Sequence, residues 1–148
     1  MFRFRFQTVL DQKRTERDQI ALELWRANEQ LLHLNRNLQD SEEVKSKHLR
    51  QLAEATKPGV MELTALLHHR QVIAETTKSI ADIHQEIVRV NQSVSELKSQ
   101  LVEAERAVKT FEKLEEKHRK EFEADAQRKE QHRLDEVAAH QSQQKRAA

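Results

Sequence analysis

The chain has one proline and one glycine, and they are neighbours, in Lys57-Pro58-Gly59. Every other bend must be made without the two residues that make turns easily. Ordinary chains carry about 7% glycine and about 5% proline, so this shortage over 148 residues disfavours any sandwich, barrel or doubly wound sheet, which need many turns. Long helices with one reversal remain. Proline disfavours helical geometry in the residue before it, and glycine accepts positive φ after a helix end. A first helix should therefore stop near Thr56.

Hydrophobic periodicity supports this. From residue 73 apolar side chains recur at alternating steps of three and four: Ile73, Ile80, Ile83, Ile87, Val90, Val94, Leu97, Leu101, Ala104, Val108 and Phe111, with Thr76 the one polar interruption. This narrow seam over more than five heptads is that of a coiled coil, not the broader stripe of a globular surface helix. The first third repeats it more weakly. One row runs Leu10, Arg17, Leu24, Leu31, Leu38, Lys45, Leu52, and the other Phe6, Lys13, Ile20, Ala27, Leu34, Ser41, His48. Two thin seams call for each other.

The predicted fold is all-α, a long two-helix antiparallel coiled-coil hairpin whose second helix is longer and projects past the first. Residues 1–148 read as a single coiled-coil domain, with helix 1 over about residues 4–56 and a turn over 57–69 with room for a short extra helical turn. Helix 2 follows over about 70–139, then a frayed tail over 140–148. Two registers fit. One sets Leu24 against Leu97, Leu31 against Val90 and Leu34 against Ile87. The other sets Phe6 against Phe122, Lys13 against Glu115 and Leu24 against Ala104. After Phe111 the seam fades and acids and bases balance, nine of each from Glu112 onward. Pairs such as Glu115/Arg119, Glu116/Lys120 and Asp125/Lys129 stand four apart with the acid first, the favourable order for a solvated helix.

Composition narrows function. Without cysteine there is no disulfide framework, thiol nucleophile or Cys-ligated zinc. No apolar run approaches the roughly 20 residues that cross a bilayer, and the N-terminus has no apolar core of signal-peptide length, so cytoplasmic residence is expected. With 26 Lys and Arg against 25 Asp and Glu, net charge offers no bulk attraction for nucleic acid or acidic lipid. There is no Gly-rich phosphate loop. Among eight histidines no two stand three or four apart, and the adjacent His68 and His69 point to different sides of a helix, so no metal site is read. A two-helix hairpin has no concave pocket to shift a carboxylate pKa. The reading is not an enzyme, with no catalytic residue, cofactor or metal.

Three features are left over. Phe2, Phe4 and Phe6 alternate with Arg3 and Arg5, either as a frayed start or as a segment that docks on a partner, since aromatics and Arg are enriched at interface cores. Val60-Met61-Glu62-Leu63-Thr64-Ala65-Leu66-Leu67 is more apolar than a solvated loop needs and either closes the hairpin or offers an adaptable tip. Trp25 flanks the seam residue Leu24.

The opening Phe2-Arg3-Phe4-Arg5-Phe6-Gln7-Thr8-Val9-Leu10-Asp11-Gln12-Lys13 resembles that of the bacterial flagellar FliJ family, whose members begin Phe-x-Phe-x-Leu/Phe-Gln-x-x-Leu and continue into a basic helix. Length and layout are similar over the whole chain, while the motif covers the first dozen residues. The resemblance implies a cytoplasmic component of the flagellar type III protein export apparatus, peripheral to the inner-membrane base of the flagellum. It implies an antiparallel coiled coil similar to the central stalk of rotary ATPases. Such a stalk inserts into the hexameric export ATPase and promotes ring assembly and activity. It also contacts the cytoplasmic domain of the membrane export gate and binds export chaperones.

Carried onto this chain, the ATPase-binding end would be Phe4, Phe6, Leu10, Lys13, Arg14, Arg17, Phe122 and Arg128, and the gate-binding face Val72, Thr76, Ser79 and Ile83. At Thr76 and Ser79 the chain departs from the larger apolar residues of the family. The seam would be Ile20, Leu24, Leu31, Leu34, Leu38, Ile80, Ile87, Val94, Leu97 and Leu101, and the free protein a monomer. Alternatives are the equivalent stalk of a virulence type III secretion system and a self-associating scaffold, which the β-branched row Ile73, Ile80, Ile87, Val94 would suit. A prefoldin-like holdase would need β-hairpins, for which the chain has no signal.

Overall fold

The computed structural model describes residues 2–59 and 62–146, the last eight of these by backbone alone. Val60 and Met61 of the apolar stretch noted above, and Ala147 and Ala148 of the tail, lie outside the described residues. Two helices and no strand are found among the described residues: α1, Gln7–Ala55, and α2, Leu63–Arg146. They pair as an antiparallel hairpin, as expected, with Phe6 facing Phe111 and His48 facing His69. α1 has 49 residues and α2 has 84.

The reversal falls where the only proline and glycine stand. Thr56 closes α1 by turning its hydroxyl back onto the carbonyls of Leu52 (3.1 Å) and Ala53 (3.0 Å). Its amide also donates to Leu52, and that of Lys57 to Glu54. These bonds satisfy carbonyls left free at a helix C-terminus. Gly59 then takes φ +93°, a conformation that side-chain-bearing residues rarely adopt.

Three boundaries differ from the sequence reading. α1 begins at Gln7, not near residue 4, because Phe2, Phe4 and Phe6 pack on α2 from a non-helical segment. α2 begins at Leu63, so residues 63–69, placed in the turn region by the sequence, belong to the helix. It also continues to Arg146, beyond the fraying placed near residue 139. Most residues after Asp125 are strong helix formers (Ala, Gln, Lys, Glu, Arg), which need little packing to remain helical.

The chain divides into two compact units, each built from both helices: Met1–Asp18 with Val102–Ala148, and Gln19–Leu101. In the first, Phe4, Leu10 and Val108 are buried, with Phe2, Phe6, Phe111 and Leu114 packed around them. In the second, Val90 and Val94 are buried, and the seam residues Ile20, Leu24, Leu31, Leu34, Leu38, Ile80, Ile87, Leu97 and Leu101 are half-buried. Half-burial is what two helices can do, since each covers only one side of the other. No polar or charged side chain is buried among the described residues.

Of the pairings set out above, Phe6 with Phe122 is not adopted. In the first unit Phe6 meets Phe111, and Phe122 is met by Phe2 instead. In the second unit His48 meets His69, one helical turn short of Ile73, the partner that the first alternative would assign when extended along the seam. The two seam rows are nearly interchangeable under a half-heptad shift, so periodicity alone does not choose.

Candidate functional site

The N-terminal unit holds the one fully buried large side chain among the described residues. Leu10 is fully buried, at 0% exposure, which two helices alone do not achieve. The extra cover comes from the residues before α1. Phe4 is buried and stacks edge-on with Phe6 (5.8 Å) and with the His118 ring (5.7 Å), while Phe2 reaches Phe122 (5.7 Å). The alternation explains the fit. Two residues of extended chain advance about 6.6 Å, close to the roughly 6 Å of four residues on a helix. Phe4 and Phe2 can therefore step along α2 from His118 to Phe122. The intervening Arg3 and Arg5 remain exposed, with the Arg5 guanidinium 5.6 Å from the Phe6 ring centre, within cation–π range.

Above this cluster lies a polar face. Arg14 donates to Glu112 across the hairpin at 2.8 Å and lies 3.7 Å from Asp11. The Glu112 hydrogen bond, opposed by desolvation and aided by the charges of Glu112, Asp11 and Glu115, raises the guanidinium pKa further. Lys13 pairs with Glu16 (2.7 Å) and Arg17 with Asp18 (2.7 Å). Phe122 is 44% exposed, and Arg128 is exposed, 3.6 Å from Asp125.

The eight residues carried to this end therefore separate into two sets. Phe4 and Leu10 are buried and Phe6 is half-buried, beneath the surface. Lys13, Arg14 and Arg17 lie half-exposed on one helix, and Phe122 and Arg128 on the other. Residues 125–138 of α2 are exposed throughout. Of the ion pairs expected after Phe111, Glu116–Lys120 closes at 2.7 Å, and that hydrogen bond lowers the Glu116 pKa. Asp125 meets Arg128 and not Lys129.

In the other unit, Thr76 and Ser79 line a shallow cavity of about 330 Å³ with Asp40, Ser41, Val44 and Glu75. Small polar residues in both rows, Ser41 and Thr76, leave this layer underfilled. The Thr76 hydroxyl donates to the Val72 carbonyl at 2.7 Å. Val72 and Ile83 are half-buried and Ser79 exposed, so the four residues carried to the gate face do not form one exposed patch. Trp25 is 60% exposed, beside the seam as expected.

Sequence reasoning missed one constellation. His48 on α1 and the pair His68 and His69 on α2 come together, with His48 Nδ1 2.9 Å from His69 Nδ1. Spacing along a single helix cannot reveal a cluster assembled across two. Among the described residues no group of three His, Cys, Asp or Glu side chains is arranged to hold a metal ion, and no helix is long and apolar enough to cross a membrane.

Paired helices with a clasped N-terminal end, and with no buried polar or charged side chain among the described residues, define a helical-hairpin coiled-coil protein. Comparison with family models makes the assignment specific: the flagellar FliJ protein family matches residues 1–147, and the chain belongs to that family. It is thus a flagellar type III export-associated coiled-coil protein of a non-enzymatic structural and adaptor family. No curated protein and no solved structure matches the chain significantly.

Proposed function

We propose that this protein is the central stalk and adaptor of the flagellar export ATPase. It promotes assembly and activity of the hexameric ring, links the ring to the cytoplasmic domain of the membrane export gate, and binds export chaperones. Its place is the cytoplasm, at the inner-membrane base of the flagellum. The observation that supports this reading best is the clasped N-terminal unit. Phe4, Phe6 and Leu10 stiffen the hairpin end from beneath, and Lys13, Arg14, Arg17, Phe122 and Arg128 offer a mixed cationic and aromatic surface of the kind interface cores favour. Val72, Thr76, Ser79 and Ile83 are proposed for the gate, where the underfilled layer leaves room for a partner's side chain.

The test is ATP hydrolysis by the cognate export ATPase with and without the full chain, alongside ring counting by negative-stain microscopy. More rings and faster turnover are expected. Arg14→Glu should keep the helicity, because its ion pair is solvent-exposed, yet weaken the complex. No change in turnover or ring number on adding the unmodified chain would overturn the stalk assignment. Equal binding by Arg14→Glu would remove that residue from the contact.

A further inference from the structure

The cluster His48, His68 and His69 is unused by the reading above and unexplained by the seam. It lies in the Gln19–Leu101 unit, on the helix turns flanking the reversal. His48 occupies a seam position between Lys45 and Leu52, and it is half-buried, as is His69. The three rings stand 5.1 Å (His48–His69), 5.6 Å (His68–His69) and 5.9 Å (His48–His68) apart, centre to centre.

The 2.9 Å contact between His48 Nδ1 and His69 Nδ1 places a stoichiometric condition on protons. An N–H···N bond needs one nitrogen that carries hydrogen and one that does not. Two neutral rings satisfy this, and so does one neutral ring with one imidazolium. Two imidazoliums do not: both nitrogens would carry hydrogen, and two positive charges would meet across a half-buried layer. The groups that face His48 make this worse. From α2 they are His69 and His68, and from its own helix Lys47; none of them is acidic.

We propose that this end of the hairpin is a proton-sensitive latch, in which His48 and His69 hold α1 to α2 while at least one ring is neutral and release them when both are charged. Burial first, then the charges of His69, His68 and Lys47, lowers the His48 pKa below its ordinary value. The sign follows. With the folded pKa depressed, the closed form binds fewer protons than the open one between the two values. The latch is thus closed above the ordinary histidine range, about pH 6.5, and weakens as pH falls below it. Residues flanking the turn would open first, changing the presentation of this end to a partner in response to acidity.

Amide hydrogen exchange on the full chain tests this, at pH 7.5 and pH 5.5 and corrected for intrinsic rates. Residues 44–55 and 63–73 should gain up to about tenfold in opening over one pH unit below 6.5, the limit for one excess proton. Residues 7–18 and 104–122 should not respond, and they report on global unfolding. His48→Gln keeps a polar group without titratable charge and should flatten the pH response of the flanking segments; His69→Gln should do the same. The side-chain nitrogen resonances of His48 should titrate below the ordinary histidine range. The proposal fails if the flanking segments show no pH response, if both glutamine variants keep it, or if His48 titrates at the ordinary histidine value.

Discussion

Leu10 shows how much one position can carry in a two-helix protein. It is fully buried because Phe4 and Val108 close over it, so truncation leaves a cavity that exposed helices cannot easily fill. Leu10→Ala should cost about 3 kcal/mol, read as a lowered denaturant midpoint. Val9, its neighbour in sequence but more than a third exposed, should lose much less on substitution by alanine. Gly59 works through backbone conformation and not packing, for an added Cβ would meet nothing within 4 Å while φ stays at +93°. Gly59→Ala should therefore cost about 1–2 kcal/mol through the left-handed conformation alone, and Gly59→Asn less, because Asn visits that region more readily. Equal losses for both variants would mean that the turn relaxes.

Among elements, the Phe-rich segment and the far end of α2 behave oppositely. Both are poor candidates for order by periodicity, yet one is clasped and the other solvated. Residues 125–138 are exposed throughout, and ion pairs such as Arg133–Glu130 at 2.8 Å join neighbours on the same helix. Truncation after Lys129 should lower the helical signal in circular dichroism yet leave Tm within about 2 °C, since a shift of that size in a chain this long reflects well under a kilocalorie per mole. Along the seam the expectation is reversed. Leu97→Asp would put an unpaired carboxylate in a half-buried layer and should lower Tm markedly; an unchanged melting curve would mean that Leu97 contributes little to the seam. A seam could be read because a period of 3.5 needs only the order of apolar residues, and the residues named for it are buried or half-buried. Register could not, because shifting one helix by half a heptad exchanges its two rows without exposing either.

For the molecule as a whole, the two units have separate cores, Phe4, Leu10 and Val108 in one and Val90 and Val94 in the other. Hydrogen exchange after Phe4→Ala should show protection lost chiefly in residues 7–18 and 102–122, and much less in residues 19–101. A uniform loss would show that the hairpin unfolds as one cooperative body. By itself the sequence determined the helical class, the single reversal at Lys57-Pro58-Gly59, the two seams and, through its first dozen residues, the family. Those are local or periodic properties, set by which residues bend a chain and which recur on one face. Only the tertiary structure decided that Phe2, Phe4 and Phe6 precede the helix and pack in the cluster around Leu10, that Phe6 meets Phe111 and not Phe122, and that His48 meets His69. The reason is geometric: such contacts join residues about 20 to 120 positions apart, and which of them form depends on how far one helix slides along the other, a displacement that the sequence pattern leaves nearly degenerate and side-chain shape resolves.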